Sequence, residues 1–345
     1  MASCDVTVRG AGIFGLSVAW ACVSRGARVR VVDPGGVAAG ASGGIVGALA
    51  PHTPEDWNAK KAFQFESLLL SRELWPLVEA LTGLPTGYAR TGRLQPIADE
   101  RALRLAEARA SGAAELWRGE AVWEIRDAAG GWEPESPTGK LIFDTLSAHI
   151  NPRLATGALA RAVEIRGGKV VAEAPDEGAV VWATGAVGLA ELSAVFERPV
   201  GSAVKGQAAL FKLDRAGLPQ LFADALHVMP HADGTVAVGS TSEREFDAPG
   251  TTDGALDDVI ARARAAVPAL AGAEVIERWA GLRPRARSRA PMLGPWPGRD
   301  GHFIANGGFK IGFGMAPKVG EVIADLVLEG RDQIPDGFRV EDNLR

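Results

Sequence analysis

The sequence predicts an α/β fold organised around a Rossmann-like dinucleotide-binding unit, and three observations point to it. Gly10-Ala11-Gly12-Ile13-Phe14-Gly15 reads G-x-G-x-x-G between a strand-like run, Val6-Thr7-Val8-Arg9, and an apolar helical segment reaching about Val23. A second strand, Ala27 to Val32, ends in Asp33, 18 residues beyond Gly15. That spacing is close to the roughly 20 residues expected of a dinucleotide-binding βαβ unit. Ala179 to Ala183 is a continuous apolar run ending at Thr184, as a parallel strand covered on both faces requires.

Each part of the first motif has a physical task. Gly10 permits a tight turn, Gly12 lets backbone approach a pyrophosphate, and Gly15 lets helix pack on strand. The helix N-terminus at Ile13 and Phe14 presents its partial positive charge to phosphate. Asp33 is placed to accept hydrogen bonds from a ribose.

The remaining elements follow in order. After Asp33 the chain turns through Pro34-Gly35-Gly36 and runs by Gly40-Ala41-Ser42-Gly43-Gly44 to Ala50-Pro51-His52. Residues 56–82 read as a helix, with Phe63, Leu68, Leu69, Leu70, Leu74 and Leu77 mostly at helical spacing and Pro76 expected to kink or restart it. A charged helix is expected over 99–112, between Pro96 and Gly112. Segments 113–148 and 200–246 alternate apolar and polar residues and read as strands, with Asp233-Gly234 as a hairpin signal. Helices are expected at 151–166, at 253–267 and from about Ala316 to Leu328. Loops rich in Pro, Arg and Gly are expected over 281–301, before a strand at His302–Ala305. There are no internal repeats and no low-complexity tracts.

Composition narrows the function. A chain of 345 residues has room for two domains, and 47% hydrophobic with 23% charged residues describes an ordinary globule. A formal charge of −5 disfavours a nucleic-acid surface. Cys4 and Cys22 have no metal-ligand spacing, and Pro230 lies between His227 and His231 in a strand-like segment, so no metal is implied. The apolar run at 11–23 reads as a buried helix rather than a signal peptide. No other run is long enough to span a membrane, and the expectation is a cytoplasmic protein.

Further segments recur in a fixed order. Gly40-Ala41-Ser42 precedes Ala50-Pro51, and Asn151-Pro152 opens a helix. Val181-Trp182-Ala183-Thr184-Gly185-Ala186, Lys205-Gly206-Gln207, Met229-Pro230 and Gly239-Ser240-Thr241 follow. Gly281-Leu282-Arg283-Pro284 and Gly312-Phe313-Gly314-Met315-Ala316-Pro317 complete the set. Together they resemble the D-amino acid oxidase/glycine oxidase family of FAD-dependent enzymes across nearly the whole chain.

The resemblance implies a glutathione-reductase-type FAD domain, discontinuous over 1–84, 143–199 and 288–345. An antiparallel-sheet substrate domain of α+β type is inserted as 85–142 and 200–287. It assigns Gly10, Gly12 and Gly15 to the pyrophosphate and Asp33 to the adenosine ribose. Ala41 and Ser42 then line the pyrophosphate and ribityl chain, Gly47 and Ala48 approach the flavin, and Thr184-Gly185 meets the dinucleotide from a second strand end. Backbone amides of Gly312, Phe313, Gly314 and Met315 face flavin N1 and O2, where a helix N-terminus stabilises an anion.

For the substrate, the resemblance points to Arg283 as the residue gripping a carboxylate, which suits the planar guanidinium fork. The competing reading is an arginine bonded to loop carbonyls. Lys310 either assists at the carboxylate, sits over the flavin, or is merely exposed. Arg285, Arg287 and Arg289 read as solvated. His227 stands where a tyrosine is common and either replaces its hydrogen bond or is structural. His52 either lines the site or is an ordinary loop histidine.

The chain also departs from the family. Arg9 occupies a usually aliphatic strand position, which puts it at the sheet rim. Ser288 replaces a common acid, and the short stretch between Arg166 and Ala179 trims the cover over adenine. Tyr88 is the only tyrosine.

The implied reaction is hydride transfer from the Cα–H of a small carboxylate-bearing amine to flavin N5. The product imine hydrolyses to a keto acid and ammonia or amine. O2 or another acceptor reoxidises the non-covalently held FAD. The alternatives are a flavoenzyme acting on a glycine-like group of a tRNA base, which an acidic chain disfavours, and a flavin binder without turnover. An oligomer is compatible with all of these.

Overall fold

The computed structural model describes residues 4–345; residues 1–3 of the first expected segment lie outside it. The N-terminal βαβ unit forms as the motif requires. Val6–Arg9 pairs in parallel with Val29–Val32 on one side and Ala179–Trp182 on the other. The full sheet has six strands, in the order Met292–Pro295, His302–Asn306, Ala179–Trp182, Val6–Arg9, Val29–Val32, Lys169–Val171. Only the first pair is antiparallel. Helix Ile13–Ser24 is buried almost all round, as a helix apolar on every face must be. The last helix, Gly312–Glu329, packs against it, and a Cβ at Gly320 would fall 2.5 Å from the Ser17 carbonyl oxygen.

The second sheet has eight strands, in the order Glu274–Ala286, Gly201–Lys212, Thr235–Gly239, Leu226–Pro230, Gln220–Ala223, Arg93–Pro96, Lys140–Asp144, Trp123–Asp127. It is antiparallel except between Gln220–Ala223 and Arg93–Pro96. Strand Lys140–Asp144 runs across residue 142, where the sequence places a domain boundary.

Side chains alternate between its two faces. Ala209, Phe211, Val228, Val236 and Val238 pack toward helix Gly254–Ala266. Ala208, Leu210, Met229 and Ala237 gather with Ile45, Val46, Ala48 and Trp279. The second face therefore looks at the segment that follows the Ser42 turn.

Four local readings are corrected. Helix Ala59–Thr82 passes through Pro76 in one piece. Pro76 sits on the exposed side, where water meets the carbonyl it leaves unserved. Helix Glu100–Leu116 runs past Gly112, which lies inside it because a Cβ there would meet the Pro54 carbonyl oxygen at 2.3 Å. The last helix begins at Gly312, ahead of Ala316. Residues 281–286, read as loop, belong to a strand of 13 residues. That strand is at the sheet edge, where proline is tolerated because alternate N–H groups have no ladder partner.

Candidate active site

The glycine turn is built for close approach. Gly10 has φ +110°, and a Cβ there would sit 2.4 Å from the Ala183 carbonyl oxygen. A Cβ at Gly15 would lie 1.9 Å from the Gly10 carbonyl oxygen, so helix and strand touch backbone to backbone. Gly12 caps helix Ile13–Ser24 with no side-chain bond. The Ile13 N–H donates to Ser42 Oγ at 2.9 Å, which leaves the Ser42 hydroxyl hydrogen free and the Phe14 and Gly15 amides without intrahelical partners. Asp33 is fixed beside them, its Oδ2 accepting from Ala11 N–H at 2.8 Å and its Oδ1 from Gly35 N–H at 2.9 Å.

Around this turn the other expected residues separate by task. Ala41 and Ser42 form a short 3-10 turn. Thr184 caps helix Gly185–Val195, with Gly185 at φ +60°. Asn306, which sequence reasoning missed, ties that turn down through Nδ2 to the Gly185 carbonyl at 3.0 Å. Gly47 is glycine because a Cβ would lie 2.0 Å from the Ile150 carbonyl oxygen, and Ala48 pairs with His149 in a small two-stranded sheet. Arg9 reaches the rim as expected, donating through Nε to Asp176 at 2.7 Å and through Nη2 to the Ala174 carbonyl at 2.9 Å. The last helix also begins without a side-chain cap, so the amides of Phe313 and Gly314 have no intrahelical partner. Two helix N-termini with unserved amides, the Ser42 hydroxyl and the Asp33 carboxylate fit a dinucleotide.

Arg283 lies on the inner face of the second sheet, on one side of its strand with Trp279, Gly281 and Arg285. Its Nη1 donates to Ser240 Oγ at 2.8 Å, and Nη2 donates to the carbonyls of Lys205, at 3.2 Å, and Thr241. Nε is buried without a partner. Burial pushes the guanidinium down to about 10. Gly206 makes the space, since a Cβ there would meet Nη2 at 2.3 Å. Behind the sheet, Lys205 Nζ bonds Asp253 at 2.9 Å, and Gln207 Nε2 bonds Asp253 at 2.8 Å and Glu243 at 3.0 Å. This network pins the segment that supplies Ser240 and Thr241. Carbonyls hold Arg283, as one sequence reading had it, while part of its fork stays open.

Lys310 and Arg285 join it. The Phe309 ring centroid lies 5.6 Å from Arg283 Cζ, 5.4 Å from Arg285 Cζ and 5.8 Å from Lys310 Nζ. Lys310 is exposed, and partial desolvation, then Arg283 and Arg285, push its ammonium below the usual range. Arg285, read as solvated, is half-buried here, whereas Arg287 and Arg289 are exposed.

His227 is within electrostatic reach of Lys310. Burial first, then Arg93, then Lys310, hold its imidazole down to about 3, so it is neutral at ordinary pH. His52 is elsewhere. Its N–H donates to Gln64 Oε1 at 2.7 Å and its Nδ1 touches the same oxygen. Gln64 Nε2 is 3.7 Å from where a Gly314 Cβ would be, so His52 borders the head of the last helix, and burial lowers its pKa. Tyr88 packs on the main core near Arg72 and Arg90. Trp279 and Phe309 went unseen, and Arg285 was read as solvated because residues 281–286 were taken as loop; counting by twos from Arg283 finds Arg285 and Trp279.

A glycine turn under a doubly wound sheet makes this a dinucleotide-binding protein. Residues 5–326 match the family model described as FAD dependent oxidoreductase. The chain belongs to that family, and its cofactor is FAD. A glycine oxidase of Pseudomonas putida is 38% identical over 39% of this chain and 36% of its own length. The first curated relatives are thus matched over little more than a third of their length. A glycine oxidase of Bacillus licheniformis is 26% identical over 94% of this chain and 93% of that protein. The solved glycine oxidase of Geobacillus kaustophilus superposes with TM-score 0.83 at 22% identity, over 99% of both chains. Among the described residues no helix is long and apolar enough to cross a membrane.

Proposed function

We propose that this protein oxidises the C–N bond of a small amine bearing a carboxylate. The observation behind this is Arg283: a largely buried cation, held by a hydroxyl and two carbonyls, with no carboxylate in ion-pair range among the described residues. Glu243 acts on it only at a distance, so the open part of its fork suits an anion from outside. The glycine oxidase relatives support the same chemistry. Bound FAD supplies the acceptor for the hydride. Arg283 orients the carboxylate, neutral His227 offers a hydrogen bond without adding charge, and orientation provides most of the acceleration. The imine product hydrolyses in water to a keto acid and ammonia or amine, and O2 or another acceptor takes the electrons.

The reading divides the chain into an FAD domain of 1–84, 143–199 and 288–345 and a substrate domain of 85–142 and 200–287. The pairing of strands into two sheets supports this outline, except that Phe143 and Asp144 pair within the eight-stranded sheet. Met229, Ala237 and Gly239 line the same sheet face as His227, which leaves room for more than glycine's hydrogen. A D-amino acid or an N-substituted glycine should therefore reduce the flavin faster than glycine. Anaerobic flavin bleaching with a panel of amines tests this: glycine being fastest overturns the size argument, and no bleaching by any amine overturns the function. Neither a tRNA substrate nor binding without turnover draws support from the relatives.

A further inference from the structure

Resting on that reading, we infer that the preferred substrate carries two carboxylates: one held by Arg283, the second met at the pocket mouth by Arg285 and Lys310. Arg283, Arg285 and Lys310 surround a single aromatic ring, each within 6 Å of the Phe309 centroid. Among the described residues none of the three has a carboxylate partner, although 21 ion pairs form elsewhere in the molecule, many of them by arginines. Folding has gathered three like charges around one ring.

One carboxylate leaves this cluster with surplus charge. Phe309 takes a left-handed φ of +46°, a conformation that costs free energy for a bulky residue, and its ring lies within 6 Å of all three cations. The adjacent helix N-terminus adds positive potential. Exposure is graded: Arg283 has its Nε sealed from solvent, Arg285 is half-buried, and Lys310 is exposed. Depth and charge together suit a short dianionic amine entering with one carboxylate leading.

The test compares substrate pairs matched in size and differing in one charge. D-aspartate is set against D-asparagine, and N-(carboxymethyl)glycine against N-(carbamoylmethyl)glycine, by anaerobic flavin reduction in the holoenzyme. In at least one pair the dicarboxylate should be favoured in kcat/KM by about 10- to 100-fold, the range of a charge-assisted hydrogen bond. Arg285→Gln and Lys310→Gln should each shrink that ratio by about tenfold while flavin content stays constant. Inhibition of the wild type by succinate against propionate repeats the comparison without any variant, and succinate should bind at least about tenfold tighter.

Monocarboxylates that match or beat their partners overturn the inference and leave amine oxidation standing. A ratio untouched by both substitutions overturns the assignment to Arg285 and Lys310. Silence toward every amine removes both readings.

Discussion

Arg283 is positioned before any ligand arrives. Ser240 and the carbonyls of Lys205 and Thr241 take three of its five N–H hydrogens, and Gly206 supplies the gap in which the guanidinium lies. Lysine at this position keeps the charge but loses both the fork and these anchors. Arg283→Lys should therefore lower kcat/KM for the best amine by about 10- to 100-fold, or about 1.5–3 kcal/mol. Flavin content should be unchanged; wild-type kinetics would remove Arg283 from the site. The motif glycines and Asp33 were legible in the sequence because each has a local steric or chemical signature, whereas Ser42 and Arg283 came only from the family resemblance. Phe309 and Asn306 were not legible, because their roles depend on partners far away in the chain.

At the scale of the element, the two helix N-termini do the preparatory work. Ser42 Oγ serves the first amide of helix Ile13–Ser24 across 29 residues of sequence, in the manner of an N-cap supplied from another segment. Ser42→Ala should cost about 1 kcal/mol, the usual value of a lost cap, and weaken FAD retention. Flavin released on dilution is the readout, and retention equal to wild type counts against the role. Element types were readable wherever periodicity was long, as in Ala59–Thr82 and Gly312–Glu329. Gly112, Pro284 and Gly281 misled because glycine and proline were taken as breaks. Gly112 answers instead to a neighbouring carbonyl, and Pro284 to a sheet edge.

At the scale of the whole molecule, buried neutral groups set the acid limit. His149 is 3% exposed, and burial, then His231, hold its imidazole down to about 4. An unfolded histidine titrates near 6.5, so below that pH the unfolded chain binds a proton that the folded one refuses. Stability should thus be whole above pH 6.5 and fall as pH drops toward 4, at up to about 1.4 kcal/mol per pH unit from this group. Denaturant midpoints at pH 7, 6 and 5 measure it, and a flat profile would contradict the burial argument. The flavin should be released by acid: Cys22 is fully buried and its thiol is pushed up to about 12, and no cysteine follows it. A yellow supernatant over a colourless pellet is expected; a yellow pellet would mean a covalent bond. Sheet membership itself was not legible from local pattern, since the six-stranded sheet collects strands from both ends of the chain and the eight-stranded one from two separated middle segments.

That interleaving governs how the protein can be made. Strand Ala179–Trp182 finds Val6–Arg9 early, but its other neighbour, His302–Asn306, is more than 100 residues downstream. Helix Gly312–Glu329, which closes over helix Ile13–Ser24, comes later still. A ribosome adding about 5–20 residues per second leaves the finished glycine turn waiting on the order of ten seconds for its roof. FAD capture belongs to the end of synthesis, and a chain truncated before residue 302 holds the phosphate motif without a cofactor site.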